Sequence, residues 1–185
     1  MSSIVITDCD HDSLDPEYEV AAVARIRRLE RVLVVGRSAE KAQAFAQALR
    51  AGGGGGVADH VEIQVSSPEE ACRAAHIIVT ATTAREPLFE AHWVQPGTHV
   101  SSMGSDATGK QELPPALFRS ARLFCDLPEQ ARRIGEYQHA DTDLELVAIG
   151  DVLAGRTAGR QDQNEITIFD SSGVSIQDLH VGRKI

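Results

Sequence analysis

The chain has no CxxC pair, no run of about eighteen apolar residues, no basic stripe, and no glycine at its first strand–helix turn. Each absence excludes something. The three cysteines, Cys9, Cys72 and Cys125, are odd in number and far apart. Neither a disulfide framework nor a zinc site is expected, and no metal ligands are assigned. A reducing cytoplasm fits that usage. Without a long apolar run, no membrane span is expected. The amino terminus has no basic region followed by an apolar stretch, so no secretion signal is expected. A net charge of −9 offers no surface for nucleic acid, although a local basic pocket for phosphate is compatible with it.

What is present is the composition of an ordinary soluble domain. Of 185 residues, 42% are apolar and 24% charged, enough for one domain with a sizeable core. Apolar runs at Ser3–Ile6, Arg31–Gly36, His60–Val65, His76–Thr80, Gly97–Ser101 and Leu123–Cys125 predict strands. Between them lie helix patterns: Pro16 to about Arg28 after Asp15, a helix after Ser38, and one from Pro68 after Ser67. Asp15, Ser38 and Ser67 are side chains of the type that cap helix amino termini. Further helices are predicted around Pro128–Ile134, Glu145–Leu153 and Val174–Leu179, with an apolar run at Ile166–Phe169. Gly52–Gly56 has no following Lys-Ser/Thr and reads as a loop rather than a phosphate-binding P-loop. Alternating strand and helix predicts an α/β fold, a doubly wound parallel sheet with a carboxyl-terminal helical extension. One domain over 1–185 is expected, with an atypical acidic first turn in 1–24 and the extension in 140–185.

Ligands bind such sheets outside the carboxyl ends of the strands. Two loops there carry candidate chemistry: Thr80-Ala81-Thr82 and the stretch THVSSMGSDATGKQEL (98–113). The second holds small residues, then one carboxylate, Asp106, followed by Gly109, Lys110 and Glu112. Small residues allow close approach of backbone or ligand. A polar turn is the plain alternative for this loop. His99 lies near it and reads as a satisfied residue at a strand end.

The segments VLVVGRSAEKA (32–42), HIIVTATTAREPLF (76–89), PGTHVSSMGSDATGKQEL (96–113) and LAGRTAGRQDQNEITIFDSSGVSIQDL (153–179) resemble the ornithine cyclodeaminase/mu-crystallin family. The likeness covers over four-fifths of the chain. It implies a Rossmann-type domain of an NAD(P)-dependent enzyme that moves a hydride at the α-carbon of an amino or imino acid, in a homodimer. By this resemblance Asp106 is the catalytic acid facing the substrate nitrogen. Thr80, Ala81, Thr82, Ser102 and Gly104 lie along the cofactor. Arg37 and Ser38 fall where the cofactor ribose is read, and a cation plus a hydroxyl there suits NADP(H) over NAD(H). Asp170, Ser171 and Gly173 match a closing FDSxG segment on the substrate side.

Two departures from the family matter. Its amino-terminal substrate-binding half has no counterpart here. Its glycine-rich first turn is replaced by Asp8, Asp10, Asp12 and Asp15, whose charges repel a diphosphate. Cofactor binding is thereby at risk of loss, and the alternative is a catalytically silent Rossmann domain serving as a binding or dimerisation module. A strand followed by Asp8-x-Asp10 is also similar to the magnesium-holding aspartates of haloacid-dehalogenase phosphatases. That family's following Gly-Thr is absent, and a solvated loop capping the first helix is the favoured reading.

Overall fold

The computed structural model describes residues 2–7, 16–51, 58 and 60–174. The acidic turn, the glycine run and the helix expected at Val174–Leu179 lie, apart from Val174 itself, outside the described residues. Among the described residues eight strands form one sheet: β1 (Ser2–Thr7), β2 (Leu29–Val35), β3 (Glu62–Val65), β4 (Ile77–Thr80), β5 (His99–Ser102), β6 (Ala121–Cys125), β7 (Leu146–Ala148) and β8 (Ile166–Asp170). Their order is β3-β2-β1-β4-β5-β8-β6-β7. Every neighbouring pair is parallel.

The side chains of β2 show why the sheet is covered on both sides. Val32 and Val34 pack with Val20 of α1 (Pro16–Ile26) and with Ala42, Ala46 and Leu49 of α2 (Ala39–Arg50). Leu33 and Val35 face the other way, toward Ala71 and Cys72 of α3 (Pro68–Ala74) and toward Phe118 and Tyr137. Alternate residues of a strand point to opposite faces, so a continuous apolar run is what a two-sided core requires. Full burial of each Val or Leu contributes about 1.5–3 kcal/mol. Small residues on α2 and α3 let those helices lie close to the sheet.

The predicted caps form locally. Ser38 accepts the Lys41 N–H at 3.4 Å and opens α2. Ser67 accepts the Glu70 N–H, while its hydroxyl donates to the Glu70 carboxylate at 2.8 Å. Pro68 sits at the first position of α3, where a missing N–H is harmless.

The carboxyl-terminal part departs from expectation. Residues 140–174 are not a helical extension. They supply β7 at the sheet edge and β8 in its middle, with only a short helix, Ile149–Leu153, between them. Ile166–Asp170 is too short for an independent helix. Its Thr167 and Ile168 are both buried, so it needs cover on two faces, and the gap between β5 and β6 provides it. The expected helix Glu145–Leu153 divides because Leu146–Ala148 pairs with Leu123–Cys125 before the helical turn begins.

Sequence order runs outward from β1 through β2 to β3, then restarts at β4 on the other side of β1. That reversal between β1 and β4 is the kind of switch point at which doubly wound sheets hold their ligands, outside the carboxyl ends of the strands. No helix among the described residues is long and apolar enough to cross a membrane.

Candidate active site at the carboxyl edge of the sheet

The loops that follow β4 and β5 are tied together by one side chain, Glu112. It is fully buried. Its Oε2 accepts from the Thr80 hydroxyl at 2.7 Å, the Ser102 hydroxyl at 2.9 Å and the Gly104 N–H at 2.9 Å. Its Oε1 accepts from the Thr82 N–H at 2.6 Å and the Thr82 hydroxyl at 2.8 Å. The strands bring these donors into register, since Thr80 is the sheet partner of Ser102 and the Met103 N–H reaches the Thr80 carbonyl at 2.7 Å. Gly104 fits because it has no side chain. A Cβ there would stand 2.2 Å from the Thr82 carbonyl oxygen and 2.5 Å from Glu112 Oε1.

A second buried acid supports the first. Glu136 accepts from the N–H groups of Glu112 (3.1 Å) and Leu113 (2.7 Å) and from the Ser105 hydroxyl. Asp170, at the end of β8, in turn accepts the Glu136 N–H at 3.0 Å. Each acid thus receives the backbone N–H of the next along Asp170, Glu136, Glu112. Asp170 Oδ1 has no hydrogen-bond partner among the described residues. Burial, with the nearby negative charge of Glu136 and then Asp126, outweighs the backbone donors and pushes the Asp170 carboxyl up to about 8. Burial likewise raises Glu136, against the pull of its three donors. The short turn Glu136–His139 is anchored by Tyr137. Tyr137 is buried edge-on against Phe118 and donates its hydroxyl toward the Phe124 and Ile168 carbonyls.

That turn also holds the loop that presents Asp106. The Gln138 amide oxygen accepts the Gly109 N–H at 2.8 Å, and its nitrogen donates to the Ala107 and Lys110 carbonyls. His139 contacts the Lys110 carbonyl at 2.8 Å. Asp106 itself is exposed, with its carboxylate 2.6 Å from the Lys110 ammonium. An exposed carboxylate held by one flexible cation can meet a ligand amine or accept its proton.

The remaining expected site residues fall as follows. Thr80 and Ser102 lie at the carboxyl ends of β4 and β5, but both side chains are buried and their hydroxyls point to Glu112. Ala81 is buried and Thr82 half-buried beside them. Asp170 and Ser102 are paired in the sheet, and the Ser171 N–H donates to the Ser102 carbonyl at 2.9 Å. The Ser171 hydroxyl donates to Asp126, and Gly173 turns with φ +78° while its carbonyl receives the Gln130 amide. The closing segment therefore lies alongside the β5 loop. Arg37 and Ser38 follow β2, two strands from β4, which is about 10 Å at ordinary strand spacing. Arg37 is exposed, and the Ser38 oxygen is engaged as the cap of α2.

Sequence reasoning did not assign roles to Glu112 and Glu136. Glu112 stood in plain view inside the GKQEL stretch, but its partners are 8 to 32 residues away along the chain. Nothing near Glu136 signals burial. One usable hint was the density of Ser and Thr in the two loops, since converging hydroxyls in a dry site need an acceptor.

Architecture and site together define a doubly wound, Rossmann-type domain with its polar machinery at the carboxyl edge. Residues 15–185 match the model of the ornithine cyclodeaminase/mu-crystallin family, and the chain belongs to that family. It is 38% identical to an alanine dehydrogenase of Archaeoglobus fulgidus over 131 residues, covering 68% of this chain and 40% of the relative. The structure of the iminosuccinate reductase of Paracoccus denitrificans in complex with NAD+ superposes with a TM-score of 0.85 and 31% identity, over 98% of this chain and 55% of that one. A Thermococcus litoralis Δ1-pyrroline-2-carboxylate reductase in complex with NADH and L-proline gives a TM-score of 0.84 at 25% identity, over 98% and 56%. The chain spans about half the length of the curated relatives it matches. These relatives are enzymes, and none of them supports the alternative of a silent module.

Proposed function

We propose that this chain is the dinucleotide-binding part of an NAD(P)-dependent enzyme acting on an amino or imino acid, with hydride transfer at the α-carbon. The observation that carries this reading is the pair of loops at the carboxyl edge beside the β1/β4 reversal. Thr80–Thr82 and Ser102–Gly104 are locked together by Glu112, and the same stretch of chain presents an exposed carboxylate, Asp106. The similar proteins bound to NAD+ and NADH have the same fold at 31% and 25% identity and support the cofactor class.

The residues fit a dinucleotide lying across the carboxyl ends. Arg37 stands about 10 Å from the β4 loop, a separation that one extended nucleotide spans. In this reading the adenosine end reaches Arg37 and the nicotinamide end lies against the backbone of Ala81, Thr82 and Gly104. The nicotinamide supplies or accepts the hydride. Asp106 is the catalytic residue: it takes the proton of the substrate ammonium or balances the charge of an iminium. Lys110 holds it in place. Asp170, Ser171 and Gly173 shape the substrate side from behind β5. The preference for NADP(H) over NAD(H) rests on Arg37 alone, because Ser38 is engaged with α2.

Calorimetric titration with NADH and NADPH tests the reading. Micromolar binding supports it, and tighter NADPH binding that disappears in Arg37→Ala supports the phosphate role. No heat with either cofactor, from a chain shown folded by circular dichroism, overturns it. Turnover with ornithine and with cyclic ketimines, compared between wild type and Asp106→Asn, tests the catalytic half. The expected assembly is a homodimer, which light scattering measures directly.

A further inference from the structure

We infer that Glu112 is a positioning residue for the cofactor, and that only a carboxylate of its length can serve there. The inference rests on the proposed dinucleotide reading for its functional consequence but on geometry for its physical content. Five donors converge on two oxygens of a fully buried side chain. Three of them are hydroxyls, which can turn and accept instead. The other two are backbone N–H groups, which cannot. One of these meets Oε1 (Thr82) and the other meets Oε2 (Gly104).

This distribution excludes glutamine. A side-chain amide has one oxygen and one NH2 group. Whichever way it is turned, the NH2 faces a fixed backbone N–H, so one loop is lost in either orientation. Aspartate keeps both acceptor oxygens but is shorter by one methylene, and the two N–H groups belong to separate loops that it must reach at once. The backbone N–H of residue 112 is itself held by Glu136, so the side chain cannot be re-aimed by a shift of its own peptide. Gly104 blocks any other repair. It lies so close to Thr82 that an added Cβ would stand 2.6 Å from the Thr82 nitrogen and 2.5 Å from Glu112 Oε1.

The consequence is that Glu112 sets the distance between the two loops along which the nicotinamide end is proposed to lie, without touching the cofactor. Hydroxyls assigned to the cofactor side on family likeness, Thr80 and Ser102, serve this lock. Replacing Glu112 therefore changes cofactor affinity through Ala81, Thr82 and Gly104.

The test combines two readouts on the full chain. Amide hydrogen exchange of wild type should show Thr82 and Gly104 protected as strongly as the neighbouring β4 and β5 amides. Fast exchange at those two amides in wild type overturns the lock whatever the variants do. In Glu112→Gln, one of the two should lose protection at least tenfold while the β4 amides keep theirs, and the Kd for NADH or NADPH should rise at least tenfold. Leu49→Ala, a cavity under α2 on the other face of the sheet, should lower the melting temperature comparably and leave Kd unchanged. A Glu112→Gln chain with wild-type exchange and wild-type Kd overturns the inference. If Glu112→Gln does not fold, Ser102→Ala and Thr80→Val each remove one hydroxyl donor from Oε2. Each should weaken Gly104 protection, and wild-type protection in both overturns the inference. If wild type binds neither cofactor, the dinucleotide reading fails, while the exchange data still decide whether Glu112 locks the loops.

Discussion

Two kinds of acid sit at the same edge of this sheet. Asp106 is exposed and paired with a lysine ammonium. Glu112, Glu136 and Asp170 are fully buried and held by backbone N–H groups and hydroxyls. On the proposed function, the difference separates chemistry from architecture. An exposed carboxylate keeps its freedom to meet a ligand, and its lysine partner holds it only weakly in water. A buried carboxylate is costly to desolvate unless many donors satisfy it, and those donors then become fixed with it. Three buried acids fix the loops, and Asp106, the acid proposed to react, is left exposed with a single lysine partner.

Substitutions on the two sides of this comparison should behave oppositely. Glu112→Ala strands two backbone N–H groups and three hydroxyls in a dry site, and should cost about 3–5 kcal/mol of folding stability by denaturant titration. Asp106→Asn should change stability by less than about 0.5 kcal/mol, yet lower turnover about 10²- to 10⁴-fold in steady-state assays. If Asp106→Asn proves as destabilising as Glu112→Ala, the division between the two acids collapses. Gly104→Ala should cost about 1–3 kcal/mol in thermal melts, because the Thr82 carbonyl it would strike is backbone and cannot swing aside.

The smallest effect is a pH dependence that belongs to the buried set alone. Asp170 keeps its proton up to about pH 8 in the fold but releases it near 3.8 when unfolded. The folded chain therefore binds more protons between those values, and stability falls as pH rises from about 4 to about 8. Glu136 is shifted the same way. His99 is depressed to about 4 by burial and the charges of Arg160 and Arg27, so its contribution is present above pH 6.5 and lost below. Between pH 6.5 and 8 His99 does not oppose Asp170. Folding stability should rise on acidification across that window, with at most about 1.4 kcal/mol per pH unit from Asp170, seen as a higher melting temperature, and Asp170→Asn should flatten the slope. An unchanged slope in Asp170→Asn would place the titrating group elsewhere.

Much of this fold was legible in the sequence because its signals are local. Apolar runs marked six of the eight strands, and Ser38 and Ser67 marked two helix starts within a residue. The β4 and β5 loops were legible too, because they follow central strands. What escaped depends on distant partners. Ile166–Phe169 carries no mark that distinguishes a central strand from a tail; only the gap between β5 and β6 decides it. Leu146–Ala148 reads as the start of a helix until its pairing with β6 is seen. Glu112 and Glu136 have the composition of surface residues, and their burial follows from donors contributed by other segments. The site was thus visible as a place, while its internal wiring was not.

The central position of β8 has a consequence for how the molecule is made. Strands β3, β2, β1, β4 and β5 can pair as they leave the ribosome, and β6 with β7 forms a separate ribbon. The two pieces share no strand pairing until Ile166–Asp170 arrives and joins both at once. Until that moment β5 and β6 each present an open edge, the kind of surface on which chains aggregate. Among the described strands, the one synthesised last is therefore the one that joins the two pieces, and it brings Asp170, the first link of the buried acid chain, into place in the same step.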